Sequence, residues 1–173
     1  MNGLLLLVPF LLVRFCLLSA LGRGAVRRAA HFPPTEGRER AAYWIYQAAN
    51  AAIVIALGFL TAEPDGSPLF WVGAALYAAG LMLCGLSEAA FSAPSGDGLC
   101  RRGLYRFSRN PMYLSYFLFF SGCALLTRSY VLGGIVAVFI LSSHALILAE
   151  ERWCAENFGD AYEQYRRAVR RYI

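Results

Sequence analysis

Long apolar runs dominate this chain and restrict its fold more than any other feature. The run from Leu69 to Phe91 holds a single charge, Glu88. Tyr43 to Ala62, Pro111 to Thr127 and Tyr130 to Ala149 hold none, and Leu4 to Leu21 is interrupted only by Arg14 and Ser19. About 20 apolar residues suffice to cross a bilayer as a helix. In lipid every backbone polar group must be bonded internally, which leaves helices or closed barrels. Continuous runs without alternation fit helices. The expected fold class is therefore all-α: a polytopic membrane helical bundle of about five transmembrane helices, plus a C-terminal cytoplasmic amphipathic helix. Composition agrees, with 58% hydrophobic and 16% charged residues, against roughly 45–50% and 25% in soluble domains. The first run lacks a basic leading region and carries its charge at its middle, so it reads as a retained helix rather than a signal peptide. Residues 1–173 fit a single integral-membrane domain, with a three-helix part over 1–95 and a C-terminal region over 96–173.

The connecting segments set the orientation. The net charge is +5 and comes entirely from arginine, since the chain has no lysine. Five arginines lie in Gly22 to Arg40, and more lie in "SAPSGDGLCRRGLYRFSRN" and in the tail. The loop "EPDGSP" has none, and the last tight connection has only Arg128. Under the positive-inside rule the N-terminus lies outside, and both long loops and the tail lie in the cytoplasm. Arginines placed at the ends of apolar runs flank a membrane; they do not make a nucleic-acid patch. The expected partner is the lipid bilayer, with no nucleic acid. Five cysteines without a Cys-x-x-Cys pair give neither a disulfide framework nor a zinc site. His31 and His144 are far apart, so no metal is expected. Arg14 is costly inside a membrane. It either pairs with Glu88 or contacts a substrate, or it faces the bundle interior or reaches an interface as a structural residue.

The tail after Gly159 and Asp160 places Tyr162, Tyr165, Val169 and Tyr172 at steps of three or four. That stripe predicts a basic amphipathic helix lying along the inner leaflet or folding under the bundle as a lid.

Chemistry concentrates at the cytoplasmic face. Asn110 is a good N-cap and Pro111 suits the first helical position. A helix starting there turns its positive end and free N–H groups toward the interface, where they suit a carboxylate or phosphate. Arg106 and Arg109 lie beside it, and arginine binds such groups bidentately. Tyr105 and Tyr113 add aromatic faces for a cation. The fifth run ends at Glu150, Glu151 and Arg152, where acidic groups are disfavoured unless the helix continues or they have partners. Together these groups suit a zwitterionic ligand with a positive centre. The alternative is a plain membrane boundary, because arginine and tyrosine collect there anyway.

The stretch "GLYRFSRNPMYLS", an apolar hairpin and then "EERWCAENFGDAYEQYRRAVRRYI" resemble the isoprenylcysteine carboxyl methyltransferase family and the related phospholipid methyltransferases. Members of that family carry Arg-His/Asn-Pro-x-Tyr, a hairpin, Glu-Glu and a Phe-Gly-x-x-Tyr-x-x-Tyr tail. The resemblance covers about Gly96 to Ile173; the first three runs match in hydropathy alone. It implies S-adenosylmethionine bound at the cytoplasmic face. Tyr105, Arg106, Arg109, Asn110, Pro111 and Tyr113 correspond to the first cofactor motif, and Glu150 and Glu151 to the second. Arg109 and the helix start are then expected to hold the methionine carboxylate. A glutamate is expected to meet the ribose hydroxyls or the ammonium, and a tyrosine to pack against the sulfonium or adenine. Asn110 stands where prenylcysteine enzymes have histidine, which weakens prenylcysteine as the acceptor. Leu104, Ser115 and Arg170 replace a frequent Pro, Gly and Pro.

The implied reaction is methyl transfer to a lipidic or small apolar acceptor. Catalytic roles fall on Glu150, Glu151 and Arg109, with a glutamate as base where the acceptor is an amine. Two other classes fit the hydropathy. One is a nicotinamide-dependent membrane reductase related to sterol reductases; the other is a non-enzymatic membrane scaffold or accessory protein.

Overall fold

A computed structural model describes residues 1–17, 20, 37–92 and 98–172, apart from the side chains of Leu17 and Arg38. Most of the arginine-rich Gly22 to Arg40 loop, His31 and Ile173 lie outside the described residues. The described chain is helical and contains no strand. After a 3-10 turn at Gly3–Leu6 come α1 (Leu7–Leu11) and a π-helical turn at Leu12–Leu17. Then follow α2 (Arg38–Phe59), α3 (Pro68–Ser92), a 3-10 turn at Gly103–Arg106, α4 (Pro111–Leu126), α5 (Tyr130–Phe158) and α6 (Asp160–Ala168). Three of these, over Glu39–Phe59, Pro68–Ser92 and Tyr130–Phe158, are long and apolar enough to cross a membrane; Gly3–Cys16 and Pro111–Leu126 are shorter apolar helices.

Local chemistry explains the boundaries. Pro111 occupies the start of α4, where its missing N–H costs nothing. Ser129 caps α5, its hydroxyl accepting from Leu132 N at 3.1 Å. Gly159 takes a positive φ of 50° between α5 and α6, a conformation that favours glycine.

The fold departs from two expectations. Hydropathy ends the fifth helix near Ala149, but α5 runs on to Phe158. Alanine, glutamate and arginine are strong helix formers, so the helix outlasts its apolar face. The tail stripe also breaks, because α6 stops at Ala168 and Val169 is extended, with φ −124° and ψ 135°. Tyr162 and Tyr165 pack on Leu99, Phe158 and Val169, so α6 folds against the rest of the chain through its tyrosine face.

Packing pairs α3 with α4 and α2 with α5. The first pair is close because glycines line it. A Cβ on Gly80 would stand 2.5 Å from Phe119 N, and one on Gly122 2.5 Å from Tyr77 N. Without a hydrophobic drive between helices in lipid, such backbone approach supplies the packing energy. Aromatic rings fill the centre. Phe10 stacks on Phe119 at 4.5 Å and Tyr46 on Phe139 at 5.0 Å. The outer faces present Trp44, Ile55, Phe59, Trp71, Val131 and Leu141. An apolar exterior around an apolar interior is the surface of an integral membrane protein.

Polar groups gather at two ends. At one end Met1 N donates to Ala62 O at 2.9 Å, and Arg128 pairs with Asp65. At the other, Arg152 pairs with Glu39, and Ser108 Oγ donates to Arg171 O at 3.2 Å. Gly133 lies in α5 facing open space, and a Cβ added there would meet nothing within 4 Å. Gly133→Ala is therefore expected to stabilise the helix by up to about 1 kcal/mol, read as a higher unfolding temperature in detergent.

Candidate functional site

The second of these ends is built by four pieces of chain. The 3-10 turn leads into α4, α5 passes beside that helix start, and residues 169–172 return across it. Ser108 and Arg170 form a parallel bridge, and Arg109 N donates to Arg170 O at 2.9 Å. This short extended contact holds the tail over the start of α4.

Glu151 is the centre. It is buried, 7% exposed, and a buried carboxylate needs charged or hydrogen-bonding partners. Arg109 Nη2 lies 3.3 Å from its Oε2, and Asn110 Nδ2 donates to Oε1 at 3.1 Å. Arg171 donates through Nε to Oε1 at 3.1 Å and through Nη2 to Oε2 at 3.0 Å. That fork-on-fork contact raises the Arg171 pKa. Two guanidiniums thus face one carboxylate, and the cluster keeps an excess of positive charge. Arg109 is itself buried, with 8% of its side chain exposed. Its Nη1 donates to Arg166 O at 3.1 Å, while its Nε is buried without a partner among the described residues. An orphaned donor beside excess positive charge fits an anionic group.

Glu150 faces elsewhere. It accepts the Tyr113 hydroxyl at 2.6 Å. Consecutive helical residues point about 100° apart, so the two glutamates serve separate partners. The α5 helix passes through them, which removes the unfavourable helix end expected there.

Of the residues singled out by sequence, Arg109, Asn110 and Glu151 converge directly, and Tyr113 joins Glu150 next to them. Asn110 stands at the N-cap position, yet its side chain makes no capping bond. Its amide instead bridges Glu151 and Arg171 O, at 3.1 and 3.3 Å. Pro111 begins the helix and lines a small apolar cavity of about 90 Å³ with Leu83, Leu104, Phe107, Leu114 and Tyr172. Tyr105 is buried and offers its carbonyl to the Tyr165 hydroxyl at 2.7 Å. Burial pushes the phenols of Tyr105 and Tyr165 well up, so both stay neutral. Arg106 is exposed on the 3-10 turn and makes none of these bonds. Arg171 and Ser108 lie within the stretches that carry the resemblance, yet the sequence singles out neither as a site residue. The one sequence signal is the pair of arginines after the tail tyrosines, and nothing in it says which turns inward.

A bundle of apolar helices carrying a cationic, carboxylate-centred cluster at one end defines the class: an integral membrane protein with a polar centre at one end of its bundle. Residues 66–161 match the phospholipid methyltransferase family, more than half of the chain. The chain belongs to that family of membrane methyltransferases. Comparison with curated proteins and with solved structures finds no match. The family match includes the 3-10 turn, the α4 start and both glutamates, but ends before Arg166 and Arg171.

Proposed function

We propose that the protein is an S-adenosylmethionine-dependent methyltransferase acting on a lipidic or small apolar acceptor at the membrane. The observation that carries this is the cluster of Arg109, Asn110 and the half-buried Arg171 around the buried Glu151 at the end of an apolar bundle. Its donor set suits a zwitterionic amino acid moiety. Arg109, with its orphaned Nε, and Arg171 would bind the carboxylate. Glu151 would hold both guanidiniums in register and meet the ammonium or the ribose hydroxyls. Tyr105, Pro111 and Tyr113 would form the apolar and aromatic wall. When bound, the cofactor supplies an electrophilic methyl group, already activated by its sulfonium. The chain therefore has to orient the acceptor and exclude water. Glu150, held by the Tyr113 hydroxyl, is placed to take the proton of an amine acceptor; a carboxylate or thiolate acceptor needs no base.

The arginine distribution supports five spans in one domain, with the N-terminus outside and residues 96–173 carrying the site at the cytoplasmic face. The grouping of the polar segments at two ends is compatible with that arrangement.

Calorimetry on detergent-purified protein tests the assignment, with a reduced nicotinamide dinucleotide as comparison. Micromolar binding of S-adenosylmethionine alone is the expected result. Binding of the nicotinamide alone would move the assignment to a membrane reductase. Binding of neither by folded protein would leave a scaffold.

A further inference from the structure

Arg14 and Glu88 form a second polar centre, away from the Glu151 cluster and outside its bonds. Arg14 lies in the π-helical turn Leu12–Leu17, and π-turns are frequent at functional sites. Its Nη1 donates to Glu88 Oε1 at 2.7 Å. Glu88 is fully buried, at 0% exposure. A buried ion pair offsets its desolvation only with excellent geometry and all remaining valences satisfied. This pair does not meet that condition. The contact is single rather than forked, and Glu88 Oε2 is buried without a partner among the described residues. Nη1 touches only Met112 Sδ besides, at 3.8 Å, and Nε and Nη2 make no bond to the described residues. Nearby hydroxyls are spent locally: Ser87 donates to Leu83 O and Ser115 to Met112 O, each at 2.6 Å. The Arg14 side chain keeps 22% exposure, against none for Glu88.

Its position matters as much as its valences. Met112 is in the first turn of α4, so the guanidinium lies at the depth of that helix start. The Tyr116 ring is 5.8 Å from it. Tyr116 and Tyr113 rings are 6.2 Å apart, and Tyr113 binds Glu150. A head group resting on Arg14 is thus separated from Glu150 by two aromatic rings.

We propose that Arg14, oriented by Glu88, is the residue that recognises the methyl acceptor, by binding an acidic oxygen group, a carboxylate or a phosphate, on the acceptor's head. The unused Nε and Nη2 face of arginine suits such a group bidentately. The acceptor role of this site rests on the methyltransferase assignment above; the binding site itself does not.

Three probes test it on the full chain in nonionic detergent: dioctanoyl phosphatidic acid, decanoate and, as neutral control, dioctanoylglycerol. Wild-type protein is expected to bind at least one acidic probe about tenfold or more tightly than the control, roughly 1.4 kcal/mol or more. Preference for phosphatidic acid alone assigns a phosphate head, and for decanoate alone a carboxylate. The double variant R14M/E88Q removes both charges together and leaves no lone buried ion. It is expected to lose the preference while its S-adenosylmethionine affinity stays within about twofold, below the 1.4 kcal/mol of a tenfold change. R14K keeps the pair but not the fork, and is expected to lose most of the preference; it decides the matter where the double variant does not fold. An unchanged acid preference in either variant, or none in wild type, overturns the proposal. Arg14-dependent acid binding without S-adenosylmethionine binding would keep the lipid site but remove its role in methyl transfer.

Discussion

Glu151→Gln is expected to weaken S-adenosylmethionine binding about 100-fold, with the helical content of the protein unchanged. Glutamine keeps the volume and one acceptor oxygen but loses the charge. Hydrogen bonds to charged groups contribute about 1.5–3 kcal/mol, and Glu151 takes them from Arg109 and Arg171 at once. Without that carboxylate the two guanidiniums repel and lose their common orientation. A cofactor carboxylate would then have to order them at its own cost. About 2.7 kcal/mol, within the range for one such contact, corresponds to that factor. Calorimetry gives the affinity and circular dichroism the fold. Wild-type affinity in the glutamine variant would show that Glu151 only braces the tail.

Gly80→Leu is expected to have the largest effect on folding. The added Cβ alone would lie 2.5 Å from Phe119 N and 2.7 Å from its Cα. Those are backbone atoms, so no rotamer change relieves the clash. Overpacking by small groups in a close-packed core typically costs about 1–3 kcal/mol, and here three further carbons must follow. The α3–α4 pair would separate, taking with it the start of α4 and the cluster built on it. Recovery of monodisperse protein from detergent should fall to background, and Gly80→Ala should show a lowered unfolding temperature. An unaffected leucine variant would mean that α3 and α4 do not pack through this face.

Much of the fold is legible in the chain itself, for identifiable reasons. Pro68, Pro111, Ser129 and Gly159 act through local backbone chemistry, so the helix boundaries they set can be read directly. Apolar length marks the membrane segments in the same way. What stays hidden depends on tertiary choice. Hydropathy reports where lipid ends, not where a helix ends, so it does not reveal α5 running through Glu150 and Glu151. Asn110 has a sound capping position, but Glu151 and the Arg171 carbonyl offer its amide better use. Arg106 and Arg109 look alike in sequence; one ends the 3-10 turn and points outward, while the other precedes α4 and points inward. Arg171 reaches Glu151 because the chain becomes extended at Val169, which the helical spacing of the tail tyrosines argues against. The Arg14–Glu88 pair is one of the alternatives the residues leave open, and the structure selects it.

The tail crossing bears on the order of assembly. Ser108 and Arg171 are 63 positions apart, and at about 5–20 residues per second a ribosome needs several seconds to travel that distance. During that interval α4 and α5 are themselves synthesised, and Glu151 lacks the arginine that later forks onto it. The Glu151 cluster is consequently the last part of the bundle to be completed. Loss of residues 169–172 would therefore leave the apolar helices intact and take from Glu151 its Arg171 fork and from the start of α4 the extended segment that crosses it.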